Sequence, residues 1–167
     1  THNFVRTGQL DSKFGFALET GEAMQAVQMA LTMKNVSLKG LHCHIWSQIF
    51  EIEPFELAAE VMLRFIAAIR DETGVELQAL NLGGGFGIKY VPSHDPVEYD
   101  RYMQKVSETV KKCCKDQGLS IPYIAIEPGR SIVGPAGITL YHVGSVKEIP
   151  GIRTYVSVDG GMGDNPR

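Results

Sequence analysis

Apolar and polar residues along the chain switch between a two-residue and a three-to-four-residue rhythm, and the switches mark its elements. Weak alternation from Lys13 to Leu18 predicts a short strand. Ala23, Val27, Ala30 and Leu31 then recur at helical spacing over 21–34. Leu38 to Ile45 reads as a second strand, entered through Gly40. In the next helix Leu57, Val61, Phe65 and Ile69 repeat every four residues, flanked by Ala58, Met62 and Ile66. Pro54 suits its first turn and Gly74 its C-terminal cap. A third strand, Leu77 to Leu82, runs straight into Gly83-Gly84-Gly85-Phe86-Gly87. Asp95 as cap, Pro96 at the first helical position and Glu98 three residues after the cap predict the start of a third helix. Tyr99, Tyr102, Met103, Val106, Val110 and Cys113 share one face of it, and Gly118 ends it. Ile121 to Glu127 is a fourth strand. Beyond Gly137 the rhythm changes: Ile138 to Lys147 and Thr154 to Asp159 both read as strands, with no helix between them.

About four β-α steps followed by strand-strand predict parallel strands covered by helices, then a separate β region. An open doubly wound sheet and half of an α/β barrel both fit, and both place ligands at the C-terminal ends of the strands. The chain has 167 residues, short of the ~250 of a complete eight-stranded barrel. It starts at Thr1 and stops inside the glycine-rich stretch Asp159 to Arg167, so it reads as a piece of a longer protein. A net charge of −3 offers no basic surplus for nucleic acid. No apolar run approaches the ~18 residues of a membrane span. The cysteines, Cys43, Cys113 and Cys114, are odd in number, and two are adjacent, which predicts reduced thiols and a cytoplasmic setting.

Three stretches fall at strand ends: His42 to Gln48, Leu82 to Gly87, and Glu127-Pro128-Gly129-Arg130-Ser131. Glycines without Cβ atoms let backbone N–H groups approach an anion, though they equally suit a tight strand-to-helix turn. The run has neither the Gly-Lys-Ser/Thr of a P-loop nor the Gly-x-Gly-x-x-Gly spacing. His42 and His44, two apart on a strand, point to one face. They are a metal pair of a hydrolase or simply packed histidines, and a third ligand is hard to find among His2, His94 and His142. Arg130 can grip a phosphate or carboxylate with paired hydrogen bonds. Glu127 can pair with a protonated ring nitrogen, or the two can form a local ion pair. Lys13 is either a Schiff-base lysine or a surface or interface charge. Trp46, the sole tryptophan, supplies at least packing area.

Taken in order, Thr7 to Phe16, His42 to Phe50, Leu80 to Gly87, Glu127 to Ser131 and Asp159 to Arg167 resemble the motifs of the pyridoxal-phosphate-dependent decarboxylases with an alanine-racemase-like barrel. Ser47-Gln-Ile-Phe50 and Asp164-Asn-Pro-Arg167 are similar to the diaminopimelate branch rather than the ornithine and arginine branch. The resemblance implies an α/β fold: the second half of a (β/α)8 barrel over 1–136, then the first strands of a β-domain over 137–167. It implies decarboxylation of meso-2,6-diaminopimelate to L-lysine with pyridoxal 5'-phosphate, and no metal. His44 would stack on the cofactor ring, Ser47, Gly83, Gly84 and Gly85 would hold its phosphate with Arg130 nearby, and Glu127, opening Pro128-Gly129, would face the ring nitrogen. Arg130 and Arg167 would take substrate carboxylates, and Lys13 would lie at a subunit interface. The partner would be a second copy or a complementary fragment. The family's Schiff-base lysine would lie upstream of Thr1, so the chain alone is expected not to turn over. The alternatives are a non-catalytic half-barrel that binds a partner or anion, and an ornithine- or arginine-type decarboxylase. Trp46 stands where the family has glycine and is expected to displace Ser47 or crowd the phosphate.

Overall fold

The computed structural model describes residues 15–164. Contacts divide the chain into two compact units, Thr1–Gly134 and Pro135–Arg167. The first alternates helix and strand: α1 (Glu22–Thr32), β1 (Gly40–His42), α2 (Glu53–Thr73), β2 (Ala79–Asn81), α3 (Tyr99–Gln117), β3 (Tyr123–Ala125) and the single turn α4 (Arg130–Val133). The strands form one parallel sheet in the order β1-β2-β3, with Leu41 opposite Leu80 and Leu80 opposite Ile124. Parallel neighbours need helical crossovers, which α2 and α3 supply. Gly40 is required by the register: a Cβ there would lie 2.1 Å from the carbonyl oxygen of Ala79.

The core is one cluster. Helix α2 contributes Phe55, Ala59, Leu63, Ile66 and Ile69, α3 contributes Tyr102, Val106, Val110 and Cys114, and Leu80 fills the middle of the sheet. Helix α2 buries the Ala58-Ala59, Met62-Leu63 and Ile66-Ala67 ridge more deeply than the Leu57-Val61-Phe65 row, because it packs on α1 and α3 as well as forming core with β2. On α3 the buried stripe ends at Cys114 rather than Cys113. Both helices end on left-handed glycines, Gly74 and Gly118, at φ 73° and 64°. Arg70, in the last turn of α2, donates to the carbonyls of Gln117 and Gly118 at 3.0 Å each. One guanidinium thereby satisfies orphan acceptors at the end of the neighbouring helix.

Several elements differ from the sequence expectation. Residues 15–18 form no strand, and Lys13 lies outside the described residues. The strands of the sheet are three residues each, shorter than the apolar runs that contain them. Helix α3 starts at Tyr99, capped by the extended residue Glu98, and Asp95 makes no capping bond. Val97 and Tyr99 pack against the core, so tertiary packing sets the first turn rather than the capping residue upstream. No helix among the described residues is long and apolar enough to cross a membrane.

The second unit is an antiparallel hairpin of β4 (Val143–Ile149) and β5 (Arg153–Val158), turning through Gly151 at φ 72°. Its first strand begins at Val143, not Ile138. Val143 already faces Val158, the last residue of β5, so residues before it have no strand opposite. The Asp159 carboxylate takes the His142 N–H instead, at 2.8 Å.

Candidate functional site

The ladder of the sheet continues past the strands. Cys43 N–H donates to Asn81, Leu82 N–H to Ala125 and Glu127 N–H to Gly83, at 2.8–3.0 Å. The three loops leaving β1, β2 and β3 are therefore held side by side at one rim. Beyond β1 the two-residue alternation persists: Leu41, Cys43 and Ile45 pack on the core, while His42, His44 and Trp46 are exposed. Burial pushes the Cys43 thiol up to about 11, so it is a packing group and not a nucleophile.

The glycine run makes the rim dense. A Cβ on Gly83 would stand 2.5 Å from the Cys43 oxygen, one on Gly84 2.4 Å from the Glu127 oxygen, and one on Gly85 2.1 Å from the Trp46 oxygen. Gly83 and Gly85 also have φ of 71° and 97°, which L side chains rarely adopt. Phe86, stacked on Phe55 with centroids 4.8 Å apart, anchors the run from below.

A cavity of about 210 Å³ opens at this rim, lined by His44, Ser47, Gly84, Gly85, Phe86, Glu127, Gly129, Arg130 and Ser131. All three stretches singled out in the sequence contribute to it. Gly83 and Pro128 are not on its wall, and the Gly83 N–H is taken by the Asn81 side chain at 2.8 Å. Arg167 lies outside the described residues. Gly84 N–H donates to His44 Nδ1 at 3.4 Å, which leaves the proton of a neutral ring on Nε2. Arg130 Nη1 is buried and has no hydrogen-bond partner among the described residues. An unmatched buried guanidinium nitrogen is a costly group, and Arg130 lines the cavity, so its guanidinium suits an anionic ligand there. Trp46 is 65% exposed with ordinary backbone, since Gln48 is the only described non-glycine residue at positive φ. Ser47, the next residue, lies on the cavity wall.

His42 meets a carboxylate rather than a second histidine: its Nε2 lies 3.4 Å from Glu127 Oε2. No three His, Cys, Asp or Glu side chains among the described residues converge as a metal set would. Glu127 does not pair locally with Arg130; its other oxygen accepts from Asn81 Nδ2 at 2.8 Å.

Two residues that brace the site fall inside the stretches singled out in the sequence but carry no role there. Asn81 is one. Gln48 is the other: its amide donates to the Ile88 carbonyl and accepts the Ile88 N–H, both at 2.9 Å, so it straps the His-Ile-Trp-Ser loop to the segment after the glycines. The available signal is a polar amide inside an otherwise apolar run, Leu80-Asn81-Leu82. Below the strap, Tyr102 donates to the Ile49 carbonyl at 3.1 Å. Burial, then the charges of Glu51 and Glu53, push this phenol up to about 12, so it stays a donor.

Residues 1–134 match the family described as pyridoxal-dependent decarboxylase, pyridoxal binding domain. The full chain is 50% identical to the diaminopimelate decarboxylase of Bacillus subtilis and 47% identical to that of Staphylococcus aureus. It covers 38% and 39% of those proteins, about two fifths of their length. Among solved structures, diaminopimelate decarboxylase from M. jannaschii in complex with L-lysine superposes with a TM-score of 0.79 at 37% identity, over 98% of this chain and 37% of that one. The Helicobacter pylori enzyme with L-lysine gives 0.70 at 27%, over 98% and 38%.

Proposed function

The chain belongs to the pyridoxal-dependent decarboxylases, and from that premise we propose that it is the cofactor-holding portion of an enzyme that decarboxylates meso-2,6-diaminopimelate to L-lysine. The observation that carries the reading is the cavity where Arg130, the glycine run, His44 and Glu127 meet, with a buried guanidinium nitrogen on Arg130 that lacks a partner among the described residues. The residues suit pyridoxal phosphate. Ser47, Gly83, Gly84, Gly85 and Arg130 form the phosphate end, Gly83 by shaping the run rather than by direct contact. His44 would lie against one ring face. Glu127, at the start of Pro128-Gly129, would face the ring nitrogen and keep a proton on it. Bound there, the cofactor supplies an electron sink for the electron pair left when carbon dioxide departs. Arg130 and Arg167 take the substrate's carboxylates, Arg130 by virtue of its paired donors.

The finer architecture is part of the same proposal. Three parallel strands in sequential order, joined by α2 and α3, suit the later half of an eight-stranded barrel over 1–136. The antiparallel hairpin suits the opening of a β-domain over 137–167. The assembly is a homodimer, or a pairing with a complementary fragment, that works in the cytoplasm. Free thiols at Cys43, Cys113 and Cys114 agree with a reducing compartment. The diaminopimelate branch is favoured over the ornithine and arginine branch by the 47–50% identities.

Equilibrium dialysis of the chain against pyridoxal phosphate tests the site. Binding should weaken about tenfold or more in Arg130→Met, the loss of a charge-assisted pair. Undiminished binding by that variant would remove the reading.

A further inference from the structure

The carboxylate of Glu127 is held at both oxygens by groups from two other strand ends. Asn81 Nδ2 donates to Oε1 at 2.8 Å, and His42 Nε2 lies 3.4 Å from Oε2. The orientation of the Asn81 amide is unambiguous: its nitrogen meets a carboxylate, and its oxygen accepts the Gly83 N–H at 2.8 Å. Gly83 in turn accepts the Glu127 N–H at 2.8 Å. Three hydrogen bonds thus close a ring through Asn81, Gly83 and Glu127. The ring ties the acidic end of the cavity to the first glycine of the loop.

We propose that Asn81 and His42 are positioning residues for Glu127, holding its carboxylate ready for the ring nitrogen of the cofactor. The inference rests on the proposed role of Glu127 and adds to it the groups through which that role is exercised. Glutamate has three rotatable bonds in its side chain, and fixing them only when a ligand arrives lowers affinity. Glu127 is 55% exposed, so packing alone does not fix it. A direct bond from an uncharged amide fixes it without neutralising the charge. Each carboxylate oxygen has a second lone pair, so the Asn81 bond and the His42 contact leave capacity for a ring N–H. Neither residue is on the cavity wall, which separates their action from direct contact with the ligand.

The test compares two ligands by equilibrium dialysis: pyridoxal phosphate and its carbocyclic counterpart, in which C–H replaces the ring nitrogen. Only the first can use Glu127. The wild-type chain should prefer pyridoxal phosphate about tenfold, the value of a charge-assisted hydrogen bond. Glu127→Gln should abolish the preference. Asn81→Ala and His42→Gln should each reduce it at least threefold, while affinity for inorganic phosphate stays at the wild-type level. A merely structural role would weaken both ligands together and leave the ratio unchanged. His42 is exposed, so His42→Gln keeps the test valid if Asn81→Ala folds poorly. Loss of preference in Glu127→Gln with wild-type ratios in the other two variants overturns this proposal alone. A preference that survives Glu127→Gln, or is missing from the wild type, overturns the role of Glu127 itself.

Discussion

Cys43 shows how position along a strand decides the chemistry of a side chain. It sits between two exposed histidines yet points the other way, because strand side chains alternate. Its thiol rises from 9.0 to about 11 by burial. The unfolded chain therefore releases this proton first as pH rises. The stability that the protonated thiol contributes is whole below pH 9, and it is lost as pH climbs from 9 towards 11. Urea denaturation across that range should show a falling midpoint, and Cys43→Ala should flatten the fall. An unchanged slope in the variant would mean that the loss comes from other groups. The neighbouring glycines follow the same logic of place. Gly84 has ordinary backbone angles but no room for a Cβ, while Gly85 has neither the angles nor the room.

Among the elements, the helices were legible in the sequence and their ends only partly so. Pro54, Gly74 and Gly118 act locally, through a missing N–H or an absent Cβ, and they stand where local chemistry puts them. Asp95 and Pro96 offered an equally good local start for α3, but the core contacts of Val97 and Tyr99 moved it to Tyr99. Asp95→Ala should therefore change stability by less than about 0.5 kcal/mol, where a working cap would cost about 1 kcal/mol. Arg70→Met gives the opposite result. It strips two bonds from the C-terminus of α3 and should cost about 1–2 kcal/mol, read as a lower urea midpoint at constant slope. The partly exposed position of Arg70 keeps that figure at the lower end for charged donors.

At the scale of the whole molecule, apolar surface is the dominant feature. The described sheet ends at β3, whose Tyr123 is 74% exposed. Ile121 and Ile132 of the same unit are exposed as well. Parallel sheets are ordinarily covered on both faces, and an unpaired edge is a template for another chain. The 18.3 kDa chain should accordingly self-associate at tens of micromolar, with a light-scattering mass above that of one copy. A monomeric mass across that range would argue against it. The rim is also a whole-molecule property. His44, Gly84 and Glu127 lie on three separate loops, and only their parallel register places them around one cavity.

The order of the elements from α1 to β3, the stretches that line the cavity and the family resemblance were present in the residues themselves, whereas the strand expected over 13–18 is not formed at 15–18. Each rests on local periodicity, on the special backbone of glycine and proline, or on short ordered motifs. Which polar groups meet could not be read there. Asn81 and Glu127 are 46 residues apart, and Gln48 and Ile88 are 40 apart. Nothing in either neighbourhood encodes the other, because hydrogen bonds form between whatever the fold brings within about 3 Å. The same reason separates Glu127 from its neighbour in sequence. The nearest basic residue, Arg130, lies three residues on, but Glu127 meets Asn81 and His42 instead, and Arg130 Nη1 is buried with no hydrogen-bond partner among the described residues.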